Sequence, residues 1–156
     1  KFVYVGDGNN VAHSIIFGGV RLGMHVVTAS PAGYQVSPEV QEWARIESAK
    51  SGGSLTILPD PVDAARHADV LYTDVWASMG QEAEAEARKK IFKDYQINQN
   101  LINAAKKDVI VLHCLPAHYG DEITHDAAHG NQSAVFDQAE NRLHAQKALI
   151  SLIAGK

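Results

Sequence analysis

The sequence predicts an α/β fold built on a doubly wound sheet of five parallel strands with helices on both faces. Three observations support this prediction. Five short apolar runs are continuous rather than alternating, which is typical of strands buried on both sides. Segments of helical character separate them, and parallel neighbours need such crossovers. The chain has 156 residues, 46% of them apolar, which is enough for one domain core. The predicted strands are 2–5, 25–29, 54–58, 69–73 and 108–113.

Capping residues mark where two of the intervening helices begin. Ser37 precedes Pro38, and Asp60 precedes Pro61; each pair places a side-chain oxygen at the N-cap and proline at the first helical position. A charged run at 81–95 has its acidic residues first and its basic residues later, an order that suits the helix dipole and permits pairs three or four residues apart. We therefore predict a solvent-exposed helix face there. Tyr34 and Trp43 are interpreted as packing residues.

The last part of the chain predicts a long terminal helix. It starts near Asp137 and runs to about 155, and its second half, "ALISLIAG", is apolar almost all round. Such a helix must bury its surface against something. At the other end, Lys1 leads directly into a strand, so we expect the chain to be a piece of a longer protein.

Composition excludes several classes of partner. Lys and Arg number 14 against 18 Asp and Glu, the net charge is −4, and no basic cluster exceeds 88–90. Nucleic-acid binding needs concentrated positive charge, so we expect no nucleic-acid partner. No apolar run approaches the roughly 20 residues that span a bilayer, so we expect no membrane partner. Cys114 is the single cysteine, which rules out an internal disulfide and favours a cytoplasmic location.

Chemistry is expected at the carboxyl ends of the strands. If the strand order is 3-2-1-4-5, the order reverses between the first and fourth strands, and open α/β sheets bind ligands in the crevice at that point. Three loops reach it: "GDGNN" at 6–10, "DVWASMG" at 74–80 and "HCLPAH" at 113–118. They are also the stretches with the most unusual mixture of polar side chains, so we predict the functional site there.

The first of these loops permits two interpretations. Gly6 and Gly8 occupy the first two positions of G-x-G-x-x-G, but the third position is Val11, and no acidic residue ends the second strand to bind a ribose. A dinucleotide site is therefore the weaker alternative. The other interpretation is a tight strand-to-helix turn in which Asn9 or Asn10 caps the helix while the second asparagine faces the crevice.

Cys114 also has two interpretations. An unpaired cysteine is more often a small buried hydrophobe than a functional group, but the loop position and the following Leu115-Pro116 bond, which can be cis, favour a functional role. A zinc site can be drawn from the cysteine and the nearby histidines. Its spacing matches no structural zinc pattern, and neighbouring strand residues point to opposite faces, so we predict no metal. The residues concerned are His113, Cys114, His118, His125 and His129.

Four motifs together resemble the ornithine carbamoyltransferases. They are "GDGNNVAHS", "DVWASMGQE", "HCLPAH" and "FDQAENRLHAQKA", and they occur in the family's order and spacing across essentially the whole chain. The resemblance covers the family's carboxyl-terminal, ornithine-binding half, so residues 1–156 would form that domain and helix 137–155 would return to an absent carbamoyl-phosphate domain. It implies carbamoyl transfer from carbamoyl phosphate to L-ornithine, without metal or organic cofactor, in a protein assembled from homotrimers.

The resemblance also implies roles for single residues on the ornithine side. Asn10 and Ser78 would bind the α-carboxylate, with the Met79 backbone amide beside them, and Asp74 would accept from the α-ammonium. An amino acid's zwitterionic end needs an anionic acceptor and several neutral donors in a confined space. The intact "SMG" sequence at 78–80 favours ornithine over the altered substrates of related enzymes.

On the carbamoyl-phosphate side, the resemblance implies three further roles. Cys114 would lie beside the δ-amine and the carbamoyl group, with its proton role left open. The Leu115 carbonyl would accept from the carbamoyl NH₂, and Arg142 would bind the carbamoyl oxygen and polarise the carbon under attack. The chain departs from many members at Tyr119, where they carry arginine. A non-catalytic amino-acid-binding or interaction module is the alternative from a different functional class.

Overall fold

The computed structural model describes residues 1–77 and 82–155 and contains the predicted sheet. Five parallel strands lie in the order β3-β2-β1-β4-β5, which confirms both the fold class and the strand order. The last two strands start one and two residues later than predicted. The strands are β1 Phe2–Val5, β2 His25–Ala29, β3 Ser54–Leu58, β4 Val70–Thr73 and β5 Ile110–His113.

Helices connect the strands, and their caps follow the sequence. The side chains of Asn9, Ser37 and Asp60 each accept backbone N–H groups at a helix start, so both predicted N-caps are confirmed. A single turn of 3₁₀ helix, Glu82–Glu84, precedes the fourth α-helix. The α-helices are α1 Asn10–Arg21, α2 Pro38–Ser51, α3 Pro61–Ala65, α4 Ala85–Phe92, α5 Gln99–Ala104, α6 His125–His129 and α7 Val135–Ala154.

The sheet buries a core on each face, as a doubly wound fold requires. Alternate strand residues point to opposite faces. Val3 and Val5 join residues of α3, α5 and α6 in one core, while Tyr4 joins residues of α1 and α2 in the other. Because both faces are covered, polar groups can reach a ligand only from the strand ends, which is where the three predicted loops lie.

Two helical predictions need correction. The charged run does form α4 and its ion pairs, but Arg88 is 7% exposed, so the expectation of a solvent-exposed face is wrong at that residue. Helix α7 begins two residues earlier than predicted. Of its described side chains Val135 is buried, and the apolar second half is exposed, with Leu152 at 81%. No described part of this chain therefore covers the apolar second half of α7, which the sequence predicts to be buried. No helix in residues 1–77 and 82–155 is long and apolar enough to cross a membrane.

Candidate functional site

A buried carboxylate lies at the point where strand order reverses. Asp74 directly follows β4, is 8% exposed and receives three hydrogen bonds from described residues. The Asn9 amide donates at 3.2 Å, the Val75 backbone N–H at 2.8 Å and the Cys114 thiol at 2.9 Å. These donors come from the loops after β1, β4 and β5, which confirms that the three loops meet. A buried carboxylate needs such partners to remain charged.

Asn9 has two functions in the loop after β1. Its Oδ1 accepts the backbone N–H groups of Val11 and Ala12 and so caps α1, while its Nδ2 donates to Asp74. The cap fixes the side chain, so the amide is aimed at the carboxylate before any ligand arrives. Asn10, the residue predicted to bind the ligand, is the first residue of α1, and its side chain is exposed.

Packing explains the glycines of this loop. A Cβ on Gly8 would lie 2.4 Å from the Val36 backbone nitrogen, and the Gly8 N–H donates to the Tyr34 carbonyl at 2.8 Å. Gly6 has φ of 140°, a conformation that residues with a side chain rarely adopt. The turn interpretation therefore accounts for both glycines without a dinucleotide. Ser78 and Met79 lie outside the described residues.

The environment of Cys114 keeps its proton on sulfur. Burial, the hydrogen bond to Asp74 and that residue's negative charge together raise the pKa of the thiol from 9.0 to about 12, and burial contributes most. A thiolate is the nucleophilic and basic form of cysteine. At neutral pH this side chain is therefore a thiol that donates to a carboxylate.

A buried histidine and glutamate shape the loop after β5. His113 and Glu122 are both fully buried, and His113 Nε2 lies 3.1 Å from Glu122 Oε1. The Leu115 N–H donates to His113 Nδ1 at 2.8 Å, so Nδ1 carries no proton and Nε2–H donates to the carboxylate. The same Glu122 oxygen accepts the His118 N–H at 2.6 Å. The Leu115-Pro116 bond is cis, as the sequence allowed.

Gln138 joins α7 to the end of the sheet. Its amide donates to the Tyr72 hydroxyl at 3.1 Å, and its Oε1 accepts the His113 N–H at 3.1 Å. Arg142 is four residues further along the helix, and residues four apart lie on one helix face. The arginine therefore lies above the end of β5.

An open cavity of about 730 Å³ brings the predicted carbamoyl-phosphate residues together. Cys114 and Leu115 line it from the loop after β5, Arg142 and Leu143 line it from α7, and Tyr119 closes one side. The Cys114 thiol also donates a hydrogen bond to Asp74 at 2.9 Å. Cys114 is thus the residue that connects the two predicted halves of the site.

Tyr119 belongs to an exposed aromatic cluster. Its hydroxyl lies 3.0 Å from His129 Nε2, and the rings of His125 and His129 stack with centroids 4.3 Å apart. Within residues 1–77 and 82–155, no three His, Cys, Asp or Glu side chains come together in a way that could hold a metal ion. The zinc alternative from the sequence therefore has no structural support among these residues.

The sequence does not predict the contacts that Gln138, Asn9 and Glu122 make around the site, nor the burial of Arg88. Gln138 lay inside a quoted motif, and its side chain could have been suspected from its spacing to Arg142. The sequence predicts Asn9 as a possible cap and carries no signal for the contact of the same side chain with Asp74. Glu122 and Arg88 carried no local signal, because one follows a polar loop and the other lies in a run of similar charges.

A doubly wound α/β domain whose polar groups converge at the switch point is a domain that binds a small molecule between its strand ends. The family described as "Aspartate/ornithine carbamoyltransferase, Asp/Orn binding domain" matches residues 1–153. The chain belongs to this family and corresponds to that domain.

Relatives and solved structures agree with the family match. The ornithine carbamoyltransferase of Thermococcus kodakarensis is 59% identical over 155 residues, which are 99% of this chain and 49% of that protein. The structure of ornithine carbamoyltransferase from Pyrococcus furiosus has a TM-score of 0.94 and 57% identity, with 100% of this chain and 50% of that chain covered. The structure of ornithine transcarbamoylase from Giardia lamblia has a TM-score of 0.91 and 32% identity, with 100% of this chain and 51% of that chain covered. The chain thus spans about half the length of the relatives it matches.

Proposed function

We propose that this chain is the ornithine-binding half of an enzyme that makes citrulline and phosphate from carbamoyl phosphate and L-ornithine. The observation that carries the proposal is the buried Asp74 carboxylate, which the Asn9 amide and the Cys114 thiol contact at the switch point. We also propose that the active protein combines this half with a carbamoyl-phosphate-binding half, is built from homotrimers and acts in the cytoplasm, as the family resemblance implies.

The ornithine side would recognise the zwitterionic end of the substrate. Asp74 supplies the negative charge for the α-ammonium, and Asn10, Ser78 and the Met79 backbone amide supply neutral donors for the α-carboxylate. A charge-assisted hydrogen bond to a desolvated carboxylate is stronger than a neutral one. Asp74 is already enclosed in the described structure, so little reorganisation is needed when the substrate binds.

The carbamoyl side would activate the carbon under attack. Arg142 donates to the carbamoyl oxygen and stabilises the negative charge that develops there, and the Leu115 carbonyl accepts from the carbamoyl NH₂. The δ-nitrogen lone pair forms the new C–N bond, and the bond between carbon and the phosphate oxygen breaks. The proton that the amine loses leaves with the phosphate.

The reacting amine must be neutral, although such amines have an ordinary pKa of about 10. The raised pKa of Cys114 argues against a thiolate base. In the proposed mechanism the thiol orients the Asp74 carboxylate and lines the path of the δ-amine. Exclusion of water then favours the uncharged amine, because burial lowers the pKa of an amine.

Calorimetric titration combined with a citrulline assay tests the proposal. Ornithine and norvaline, which lacks the δ-amine, are expected to release heat on binding, and NAD is not. The chain joined to a carbamoyl-phosphate-binding half is expected to produce citrulline. Ornithine binding without turnover in that joined protein would instead support a non-catalytic amino-acid-binding module. Binding of NAD in place of ornithine would refute both interpretations.

A further inference from the structure

Arg88 is a buried cation in a helix whose other basic side chains are exposed. Its side chain is 7% exposed, whereas Lys89 and Lys90 lie in solvent. Burying a guanidinium is costly unless its donors are paired. The partners of Arg88 therefore indicate why the chain retains a charge at this position.

These partners come from three loops and from the residue that precedes α4. Nη1 donates to the Asp7 carboxylate at 2.7 Å and to the Trp76 carbonyl at 3.0 Å, and Nε donates to Glu84 at 3.2 Å. The guanidinium also lies 5.1 Å from the centre of the Tyr34 ring, and the Tyr34 carbonyl accepts the Gly8 N–H at 2.8 Å. One side chain thus ties α4 to the loops after β1, β2 and β4.

The two loops that Arg88 joins most directly are those that carry the predicted ornithine contacts. Asp7 lies two residues before Asn9, which donates to Asp74, and Trp76 lies two residues after Asp74. Arg88 thus contacts one residue close to Asn9 and one close to Asp74, and these two side chains are hydrogen-bonded to each other. Among the described residues, none of the hydrogen-bond partners of Arg88 lies in the loop 113–118 or in α7.

We propose that Arg88 is a positioning residue for the α-amino-acid end of ornithine. It holds the loops 6–10 and 74–77 in register, and so fixes Asn9 and Asp74 relative to each other. The inference rests on the proposed function, because it concerns the same site. It goes beyond the proposed function in one respect. Changes at Arg88 affect the binding of ornithine and do not affect the binding of carbamoyl phosphate, whose contacts lie in the other half of the site.

Arginine suits this task better than lysine. A planar guanidinium offers donors in a fixed fork, so it can contact a carboxylate, a carbonyl and a second carboxylate simultaneously, whereas an ammonium is a single point charge on a flexible stem. The Arg88→Lys variant retains the charge and most of the packing, and it loses the geometry. It is therefore the informative variant.

The experiment compares Arg88→Lys and Arg88→Met with the unmodified sequence, in the protein that joins this chain to a carbamoyl-phosphate-binding half. A misplacement of about 1 Å can cost about 10²-fold, so we expect the KM for ornithine to rise by about 10- to 100-fold in both variants. The affinity for norvaline is expected to fall in parallel. The KM for carbamoyl phosphate should stay within about twofold of its value in the unmodified protein, because Arg88 does not contact the residues that would bind that substrate.

Arg45→Met is the matched control, because Arg45 pairs with Glu42 at 2.7 Å on an exposed helix face away from the loops; it should leave both KM values unchanged. Asp7→Asn removes one charged partner of Arg88 and keeps Arg88 itself. It should raise the KM for ornithine by a smaller factor than the Arg88 variants do. Its effect should largely disappear in the Arg88→Lys background, since both changes break the same contact.

Two results would overturn the inference while leaving the proposed function intact. In the first, the unmodified joined protein is active and the Arg88→Lys variant has the same KM for ornithine. The other is an equal rise in both KM values, which would indicate general destabilisation. If Arg88→Met does not fold, the Arg88→Lys and Asp7→Asn comparison decides. An unmodified joined protein without citrulline formation would refute the proposed function itself.

Discussion

The two sides of the predicted site differ in how much of their environment this chain supplies. On the ornithine side, Asp74 is 8% exposed and loops from three strands surround it, with the buried Arg88 joining two of them. On the carbamoyl-phosphate side, Arg142 is exposed on α7, and the cavity of about 730 Å³ beside it is open.

This difference indicates where the site is complete. Charges act strongly where water is excluded and weakly where it is not, so Asp74 is ready to bind an ammonium group, while Arg142 needs a further surface to become effective. The exposed apolar side chains of α7, such as Leu149 and Ile153, mark the same side as unfinished. In the proposed function, the chain thus encloses the Asp74 side of the site, and a partner domain would complete the Arg142 side.

The largest effect is expected from testing the chain by itself. Both substrates must lie about 3 to 3.5 Å apart in a fixed orientation, and the open side cannot enforce that. The 156-residue chain should therefore produce no measurable citrulline, whereas the protein joined to its other half should. A colorimetric citrulline assay on both proteins provides the measurement. Comparable turnover by the chain alone would show that the Arg142 side is complete after all.

The next largest effect concerns Asp74. Asp74→Asn removes the counter-charge for the α-ammonium, and losing a buried charged partner costs about 2 to 5 kcal/mol of binding free energy. Titration calorimetry with norvaline measures this loss. Asp69→Asn is the matched control, because it makes the same chemical change at the opposite end of β4, where Asp69 pairs with Lys106. Unchanged norvaline affinity in Asp74→Asn would show that the ammonium binds elsewhere.

Arg142 should affect rate rather than ornithine binding. Arg142→Met in the joined protein removes a donor to the developing oxyanion, and such losses lower kcat by about 10²- to 10³-fold. Norvaline affinity should not change, because the ornithine side is already formed. Steady-state kinetics and calorimetry on one variant therefore separate the two sides. A drop in norvaline affinity as large as the drop in kcat would contradict this separation.

Cys114, where the two sides meet, should show a smaller and pH-dependent effect. With the pKa of its thiol at about 12 against an ordinary value of 9.0, iodoacetamide should alkylate it slowly at neutral pH. Asp74→Asn should move the pH profile of alkylation to lower pH, since it removes the negative charge that opposes ionisation. Mass spectrometry of the single cysteine across a pH series measures the shift. An unchanged profile would mean that burial alone sets this pKa.

The same pKa has a consequence for stability. Because the folded pKa lies above the unfolded one, the unfolded thiol ionises first as the pH rises. The contribution of Cys114 to the free energy of unfolding is therefore complete below about pH 9 and decreases between pH 9 and 12. Urea unfolding of the unmodified chain and of Cys114→Ser should diverge in that range.

The smallest effect is expected at Tyr119. Tyr119→Phe removes one hydrogen bond to His129, and both side chains are exposed. Surface changes of this kind alter the free energy of unfolding by about 0.5 kcal/mol or less. Thermal unfolding and ornithine KM should both stay close to those of the unmodified protein. A large rise in the KM for carbamoyl phosphate would place the hydroxyl in the chemistry of the open side.

The sequence by itself determined the five strands, the helices between them and the loops predicted to carry the chemistry. Continuous apolar runs specify buried parallel strands, and caps such as Ser37 and Asp60 specify helix starts, because both signals are local. The polar residues Asp74 and Cys114 stand out because each directly follows a strand end. The strand order was an assumption at that point, and the structure confirms it.

Tertiary structure alone decided how these residues are held and which charges are buried. Nothing local distinguishes Arg88 from Lys90, yet Arg88 is paired with a carboxylate 81 residues away and Lys90 is exposed. The Glu122 contact to His113 and the Asn9 contact to Asp74 are decided in the same way. Burial of a charge depends on which distant groups the fold brings within hydrogen-bond distance, and no window of neighbouring residues contains that information.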